Sequence, residues 1–363
     1  MGPDEQAIGT WLRAPAGGLS EAAIATARRH RVHLLIADAL TRMKGETEWG
    51  AMLGRELRTC AVLHTRRDAV LRVTLDRLHA ANVDVLLLKG AGVAYLAYQA
   101  PYLRPRVDTD LLIRREALEC AHAALIADGW AKGVESDGEL ASTQRHYSKT
   151  IDGGRDEHID LHWRVANPPA FARVLSFDEL SARAIPVEPL GAAARTSSIP
   201  DALFLACVHL VAHHADDVDL IWLVDIERLS QMLNADDRRR FLTLAARESM
   251  CAVCRHALMA TEGWLGTGVA AALAAALPAD TAAEPSARWL QGGSRAARLR
   301  SELAALPTWR ERVTLLQEHL FPSAAYLRSK YPRCPERLLA VAALHRILAG
   351  APAWLRSSSR HLQ

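Results

Sequence analysis

The stretch Leu86-Leu-Leu-Lys89-Gly90-Ala91-Gly92 is followed by Val107-Asp108-Thr-Asp110-Leu and, further on, by His158-Ile-Asp160-Leu-His162. Asp108 and Asp110 lie two apart ahead of Leu111-Leu-Ile113, so on a strand they project from one face. Two carboxylates held side by side repel each other unless a cation lies between them. Asp160 stands in the alternating run Ile159-Asp-Leu-His-Trp163, which predicts a neighbouring strand carrying a third carboxylate. Three such oxygens suit one or two Mg²⁺ ions, with Mn²⁺ as the substitute. Such ions activate an attacking oxygen and stabilise a departing pyrophosphate.

The glycine element fits the same chemistry. Val83-Asp-Val-Leu-Leu-Leu88 is a short β-prone run, Gly90 and Gly92 permit a tight turn, and Val93-Ala-Tyr-Leu-Ala-Tyr98 reads as the start of a helix. A strand, a glycine turn and a helix N-terminus present backbone N–H groups to a phosphate, and Lys89 adds a positive charge there. A Lys-Gly-x-Gly turn alone is a weak signal. Joined to Asp-x-Asp and a later strand aspartate, it points to metal-dependent nucleotidyl transfer. Arg104 and Arg106 precede the aspartate pair; a guanidinium there can grip triphosphate oxygens, with Arg106 the better placed in sequence.

The order Leu-Lys-Gly, a helix, the arginine loop Tyr102-Leu-Arg104-Pro-Arg106, Asp-x-Asp-Leu-Leu-Ile and a separate strand aspartate resembles the DNA polymerase β-like nucleotidyltransferase superfamily. Within it, the chain is similar to the bacterial uncharacterised nucleotidyltransferase family, with a kinship to abortive-infection type nucleotidyltransferase toxins. The resemblance implies Mg²⁺-dependent transfer of a nucleoside monophosphate from an NTP to an acceptor hydroxyl or phosphate. It implies that Gly90 is the phosphate-loop glycine, that Asp108 and Asp110 are the metal pair, and that Asp160 is the third carboxylate. Ala91 departs from the Gly or Ser that commonly follows the first glycine, a loss for which Gly92 can compensate. Likeness extends to His209-Leu-Val-Ala-His213-His214, Ile221-Trp-Leu-Val-Asp225-Ile and Leu320-Phe-Pro-Ser323 with Tyr331-Pro332, roughly residues 80 to 335 in all.

At 363 residues and 50% hydrophobic content the chain can bury a sizeable core. A net charge of +3 is small for this length, so charge lends no support to nucleic acid as the acceptor. The runs Arg28-Arg-His-Arg31 and Arg238-Arg-Arg240 lack interleaved aromatics and read as solvated helix faces. The N-terminus has no basic region backed by an apolar stretch, and no segment reaches the roughly eighteen apolar residues of a membrane span. A cytoplasmic protein without membrane contact is expected. The six cysteines lack disulfide-framework spacing and are expected to be reduced.

An α+β fold follows, with a small mixed-sheet nucleotidyltransferase core between an N-terminal helical cap and a C-terminal helical domain. Residues 1–79 form the helical region, opened by a cap at Ser20 and containing a long amphipathic helix over Trp49 to His79. Residues 80–190 form the core, with strands near Val83 to Leu88, Asp110 to Ile113, His146 to Ile151 and His158 to Arg164, and a helix from Glu116 to Asp128 ending at Gly129. Asp152-Gly-Gly-Arg155 reads as a hairpin turn. Residues 191–363 are helical, with Thr281 to Ser294 as a linker.

His209 and His213 have the spacing of zincin ligands, but Leu210 stands where that chemistry needs glutamate. They, with His214, read as residues bordering the cleft. Cys251-Ala-Val-Cys254 with His256 lacks a second ligand pair and reads as core. His162 and Trp163 orient Asp160, border the nucleotide or pack as core. A second reading keeps the fold but uses it as a catalytically weakened, nucleotide-binding regulatory module, marked by Ala91; the three aspartates favour the enzyme. The acceptor (RNA, protein or peptide, sugar or small molecule) and the base of the NTP donor are not encoded in any motif.

Overall fold

The computed structural model describes residues 2–16, 18–43, 49–134, 140–151, 154–214, 218–291, 293–339, 341, 343–345 and 357–358. Four helices come first: α1 (Pro3–Arg13), α2 (Glu21–Arg29), α3 (His33–Met43) and α4 (Gly50–Ala80). Ser20 caps α2 as expected, its hydroxyl accepting from the Ala23 N–H. The core then runs β1 (Leu86–Leu87), α5 (Lys89–Ala97), β2 (Thr109–Leu112), α6 (Leu118–Ala127), β3 (Ala131–Lys132), β4 (Gln144–Ile151), β5 (Arg155–His162), α7 (Phe177–Ser181), β6 (Ile185–Pro186) and β7 (Arg195–Thr196). The helical half comprises α8 (Ile199–His214), α9 (Leu220–Met232), α10 (Ala235–Arg247), α11 (Cys251–Leu265), α12 (Val269–Ala275), α13 (Arg295–Ala305), α14 (Trp309–Leu320) and α15 (Ala324–Lys330).

Among the described residues the principal sheet has seven strands in the order β3-β4-β5-β2-β1-β7-β6. β4 and β5 are antiparallel and paired along their whole length, from Gln144↔His162 to Ile151↔Arg155. The strands on either side of the hairpin turn expected at Asp152-Gly-Gly-Arg155 are thus paired; Asp152 and Gly153 of the turn itself lie outside the described residues. β5 runs parallel to β2, β2 antiparallel to β1, and β1 parallel to β7, so the sheet is mixed. It also reaches past residue 190, to Thr196.

Alternation decides which side of the sheet becomes chemical. In β5, Glu157, Ile159 and Leu161 are buried on one face, so His158, Asp160 and His162 share the other. The buried face packs with Leu71, Leu75 and Leu78 of α4 and Leu118, Ala121 and Leu125 of α6. Each such leucine contributes about 1.5–3 kcal/mol by leaving water. Val62, counted in the amphipathic spacing of α4, is instead exposed. α6 stops where expected, at Gly129 with φ +85°, a conformation that favours glycine.

A second apolar core is continuous through all three parts of the chain. It joins Ile8 and Trp11 of α1, Leu34 and Ile36 of α3, Leu86 and Val93 beside the sheet, and Phe204, Ile221, Phe241 and Leu258 of the helical half. The Thr281 to Ser294 segment is more than a linker. It forms a short 3-10 helix over Pro285–Gln291, its Trp289 packs edge-on to Phe171, and the Glu284 carboxylate accepts from the Cys251 and Ala252 N–H groups at the start of α11.

Candidate active site

Parallel pairing of β2 with β5 sets Asp110 opposite Asp160, so the two carboxylates stand side by side on the polar face of the sheet. Asp108 lies just before β2 rather than within it, in a bend, and lines the same cleft of about 550 Å³ as Asp110, Asp160, Lys89, Gly90 and Arg106. Six of the seven residues singled out from the sequence therefore meet in one cleft. Gly92 lies behind it, in a smaller cavity shared with Thr196 and Asp225.

Each acid has a distinct environment. Asp110 is buried; its Oδ1 accepts from Lys89 Nζ at 2.7 Å and lies 2.8 Å from His162 Nε2. Burial alone would raise its pKa, but the Lys89 and His162 contacts outweigh that and hold the carboxyl well below the usual range. Asp108 is shifted the other way, first by burial and then by the Asp110 and Asp160 charges. Asp160 is held from β4: Gln144 donates to Oδ2 at 2.9 Å, and His146 Nδ1 lies 2.8 Å from Oδ1. His146 is in turn stacked on His158, ring centroids 5.1 Å apart.

His162 is 2% exposed at its side chain. Burial and the Lys89 charge keep its pKa low, so the ring is neutral and fit to ligate or to accept. Its Nδ1 is a buried nitrogen with no hydrogen-bond partner among the described residues. Ligand atoms of Asp110, Asp160 and His162 all lie within 4.8 Å of one another, a donor set that fits a divalent cation.

The turn into α5 differs from the expected one. The left-handed residue is Lys89, with φ +47°, and both glycines lie inside α5. Each is small because a neighbour approaches it. A Cβ on Gly90 would overlap Arg104 Nη1, and one on Gly92 would overlap Thr196 Oγ1 and meet the Leu87 carbonyl at 3.0 Å. Gly92→Ala is accordingly expected to cost about 1–3 kcal/mol of stability, measured by urea unfolding; an unchanged midpoint would refute the packing argument. Ala91, between them, is 1% exposed and its methyl joins the core with Leu87 and Leu111.

Arg104 sits over Gly90 because Asp225, on α9, holds it: Nη2 donates at 2.6 Å and Nε at 3.1 Å, while the Tyr98 hydroxyl donates to the same carboxylate at 2.6 Å. Sequence reasoning missed Asp225, yet a signal was present: an aspartate inside the apolar run Ile221-Trp-Leu-Val-Asp225-Ile falls on the buried face of its helix and needs a cation. Gln144 and His146 were missed as well, since their partner is known only once the β4–β5 register is fixed. The opposite wall comes from the helical half. His209 lines the cleft and meets Trp222 edge-on at 5.9 Å; the side chains of His213 and His214 lie outside the described residues.

Arg28–Arg31 does not form the solvated face expected of it. Arg28 pairs with Glu56, His30 is buried against Glu5, and Arg31 pairs with Asp219 at the cleft margin. Arg238–Arg240 is exposed as expected.

A family model described as an uncharacterised nucleotidyltransferase matches residues 20–266. The chain belongs to that family. Membership supports transferase activity and an NTP substrate for this nucleotidyltransferase, and the mixed sheet with its flanking helices agrees with the α+β fold expected. The match takes in α2 to α11, so α2 to α4 belong to the family unit, while α1 and the Leu320 to Pro332 segment lie beyond it. No curated protein matches the sequence. Among the described residues no helix is long and apolar enough to cross a membrane.

Proposed function

We propose that this nucleotidyltransferase moves a nucleoside monophosphate from an NTP to an acceptor, with release of pyrophosphate and dependence on Mg²⁺, or Mn²⁺ in its place. The observation that carries this reading is the side-by-side placement of Asp110 and Asp160 across β2 and β5, with Asp108 at the mouth and the first turn of α5 facing them. Asp108, Asp110 and Asp160 would hold the cation, with His162 beside Asp110. A divalent ion bound there neutralises the carboxylates and stabilises negative charge on the reacting phosphate and on pyrophosphate.

The chain's own groups supply the rest. The N–H groups of residues 89–91 belong to the first turn of α5 and have no partner within the helix, so they are available to donor phosphate oxygens, and Gly90 lets those oxygens come close. Lys89 and Arg106 add positive charge along the triphosphate, and Gly92 lets α5 pack tightly enough to keep that turn in place. Gln144 and His146 fix the orientation of Asp160, whose oxygens each retain a lone pair. The acceptor oxygen forms its bond to the α-phosphorus, the α–β phosphoanhydride bond breaks with its electron pair leaving on pyrophosphate, and the acceptor proton passes to Asp160. Ala91 lends nothing to the reading of a weakened, binding-only module, because its methyl is spent on core packing and does not enter the cleft.

The test is incubation with each α-³²P-labelled NTP and Mg²⁺, with and without cell lysate, for wild type and Asp108→Asn. Label passed to a lysate component by wild type alone, and lost on chelation, is the expected result. Nucleotide binding by calorimetry without transfer would support the binding module, and the absence of both would overturn the reading.

A further inference from the structure

Beyond the cleft, on the other side of the Pro101–Arg106 loop, lies a separate pocket of about 130 Å³. Its walls are α4 (His64, Arg67), that loop (Arg104, Arg106) and Arg155 at the start of β5. Among the described residues, four arginines and a histidine line it and no carboxylate does. Arg104 and Arg106 also line the cleft, so the loop is a shared wall between the two spaces.

The charges are unevenly compensated. Arg67 is neutralised by Glu157, to which its Nε donates at 2.5 Å, and Arg104 by Asp225. Arg106 is 4% exposed at its side chain, its nearest carboxylate oxygen is Asp68 Oδ1 at 3.7 Å, and none of its three guanidinium nitrogens makes a hydrogen bond among the described residues. Asp68 Oδ1 is shared with His64 at 3.0 Å. Arg155 is exposed and pairs with no carboxylate among the described residues. A buried guanidinium without hydrogen bonds is costly, and burial together with the nearby Arg67 charge pulls the Arg106 pKa down. The pocket thus presents one exposed guanidinium without an anion among the described residues, Arg155, backed by the buried charge of Arg106, which also faces the cleft, and a phosphate group suits that excess of positive charge.

We infer that this pocket binds a phosphate group carried by the acceptor, holding the acceptor while its nucleophile reaches across the loop into the cleft. Acceptors are then phosphorylated molecules. The inference rests on the nucleotidyltransferase reading for the word acceptor, but the pocket's affinity for phosphate does not.

Inorganic phosphate is titrated by calorimetry into the full-length protein alone, and into protein saturated with Mg²⁺ and tripolyphosphate, which stands in for the donor's phosphates whatever its base. Both titrations are repeated with Arg155→Glu, a surface change outside the cleft. Saturable phosphate binding in both states, weakened at least about tenfold by Arg155→Glu with tripolyphosphate affinity unchanged, is expected. Equal phosphate binding by both proteins, or none by either, overturns the proposal. So does phosphate binding that disappears in the presence of tripolyphosphate while Arg155→Glu weakens tripolyphosphate binding, since the pocket then serves the donor. If tripolyphosphate fails to bind with Mg²⁺, the reading of the cleft fails, and the titration of the protein alone still decides the pocket.

Discussion

Asparagine at Asp110 and asparagine at Asp108 are expected to abolish transfer alike and to move stability in opposite directions. Either change removes a carboxylate from the proposed cation site, and a loss of at least about 10²–10³-fold in turnover is expected from withdrawing one such electrostatic group. In EDTA, however, the folded protein experiences the two acids differently. Asp110 is the anion that Lys89 and His162 converge on, so Asp110→Asn leaves a largely buried ammonium without its counter-charge and costs about 3 kcal/mol. Asp108 is repelled by Asp110 and Asp160, so Asp108→Asn removes a repulsion and raises the melting temperature. The pH dependence follows. Asp110, depressed in the folded state, contributes stability above its unfolded pKa that is lost as pH falls below it. Asp108, raised in the folded state, penalises the fold above its raised pKa, so the gain from Asp108→Asn fades as pH falls through that value. Thermal unfolding of both variants in EDTA across pH measures this, and a fall in stability for Asp108→Asn at neutral pH would refute the charge arrangement.

Asp225→Ala is expected to be the most destabilising single change in the cleft wall, by about 3–5 kcal/mol. Both Arg104 and Asp225 are about 5% exposed at their side chains, and the variant would leave a buried guanidinium and the Tyr98 hydroxyl facing an empty site. Urea unfolding measures the loss. A double variant, Asp225→Leu with Arg104→Met, removes both charges and is expected to recover most of it. A cost below about 1 kcal/mol for Asp225→Ala would mean that water replaces the carboxylate.

Legibility in the sequence tracked separation along the chain. Asp110 and Asp160 could be paired from their flanks, because an acid in an alternating apolar strand declares both its element and its face. Gly90 and Gly92 were recognisable as special, but the reason was not: the groups that crowd them belong to Arg104 and Thr196, and no local pattern reveals a neighbour that distant. The same holds for Asp225, whose partners Tyr98 and Arg104 lie 127 and 121 positions away. Arg28–Arg31 misled because a basic run reads as solvated unless its acids, Glu5, Glu56 and Asp219, are known to converge on it. β1 reduced to Leu86–Leu87 because those residues pair with β2, Leu87 also with β7, whereas Val83 to Val85 carry strand propensity without a ladder.

The packing of α1 sets a schedule for biosynthesis. Trp264 Nε1, near the end of α11, donates to the Glu5 carbonyl 259 positions earlier, and the backbone of Gly9 lies flat against the same indole. At the usual ribosomal pace, roughly 5–20 residues per second, about 10–50 s pass between the emergence of the two partners. Throughout that interval α1 can pack against α2 but lacks α11, and its Ile8 and Trp11, buried in the finished protein, are not yet fully covered. The nascent chain carries this first helix half-covered, and a product truncated before α11 would keep it so.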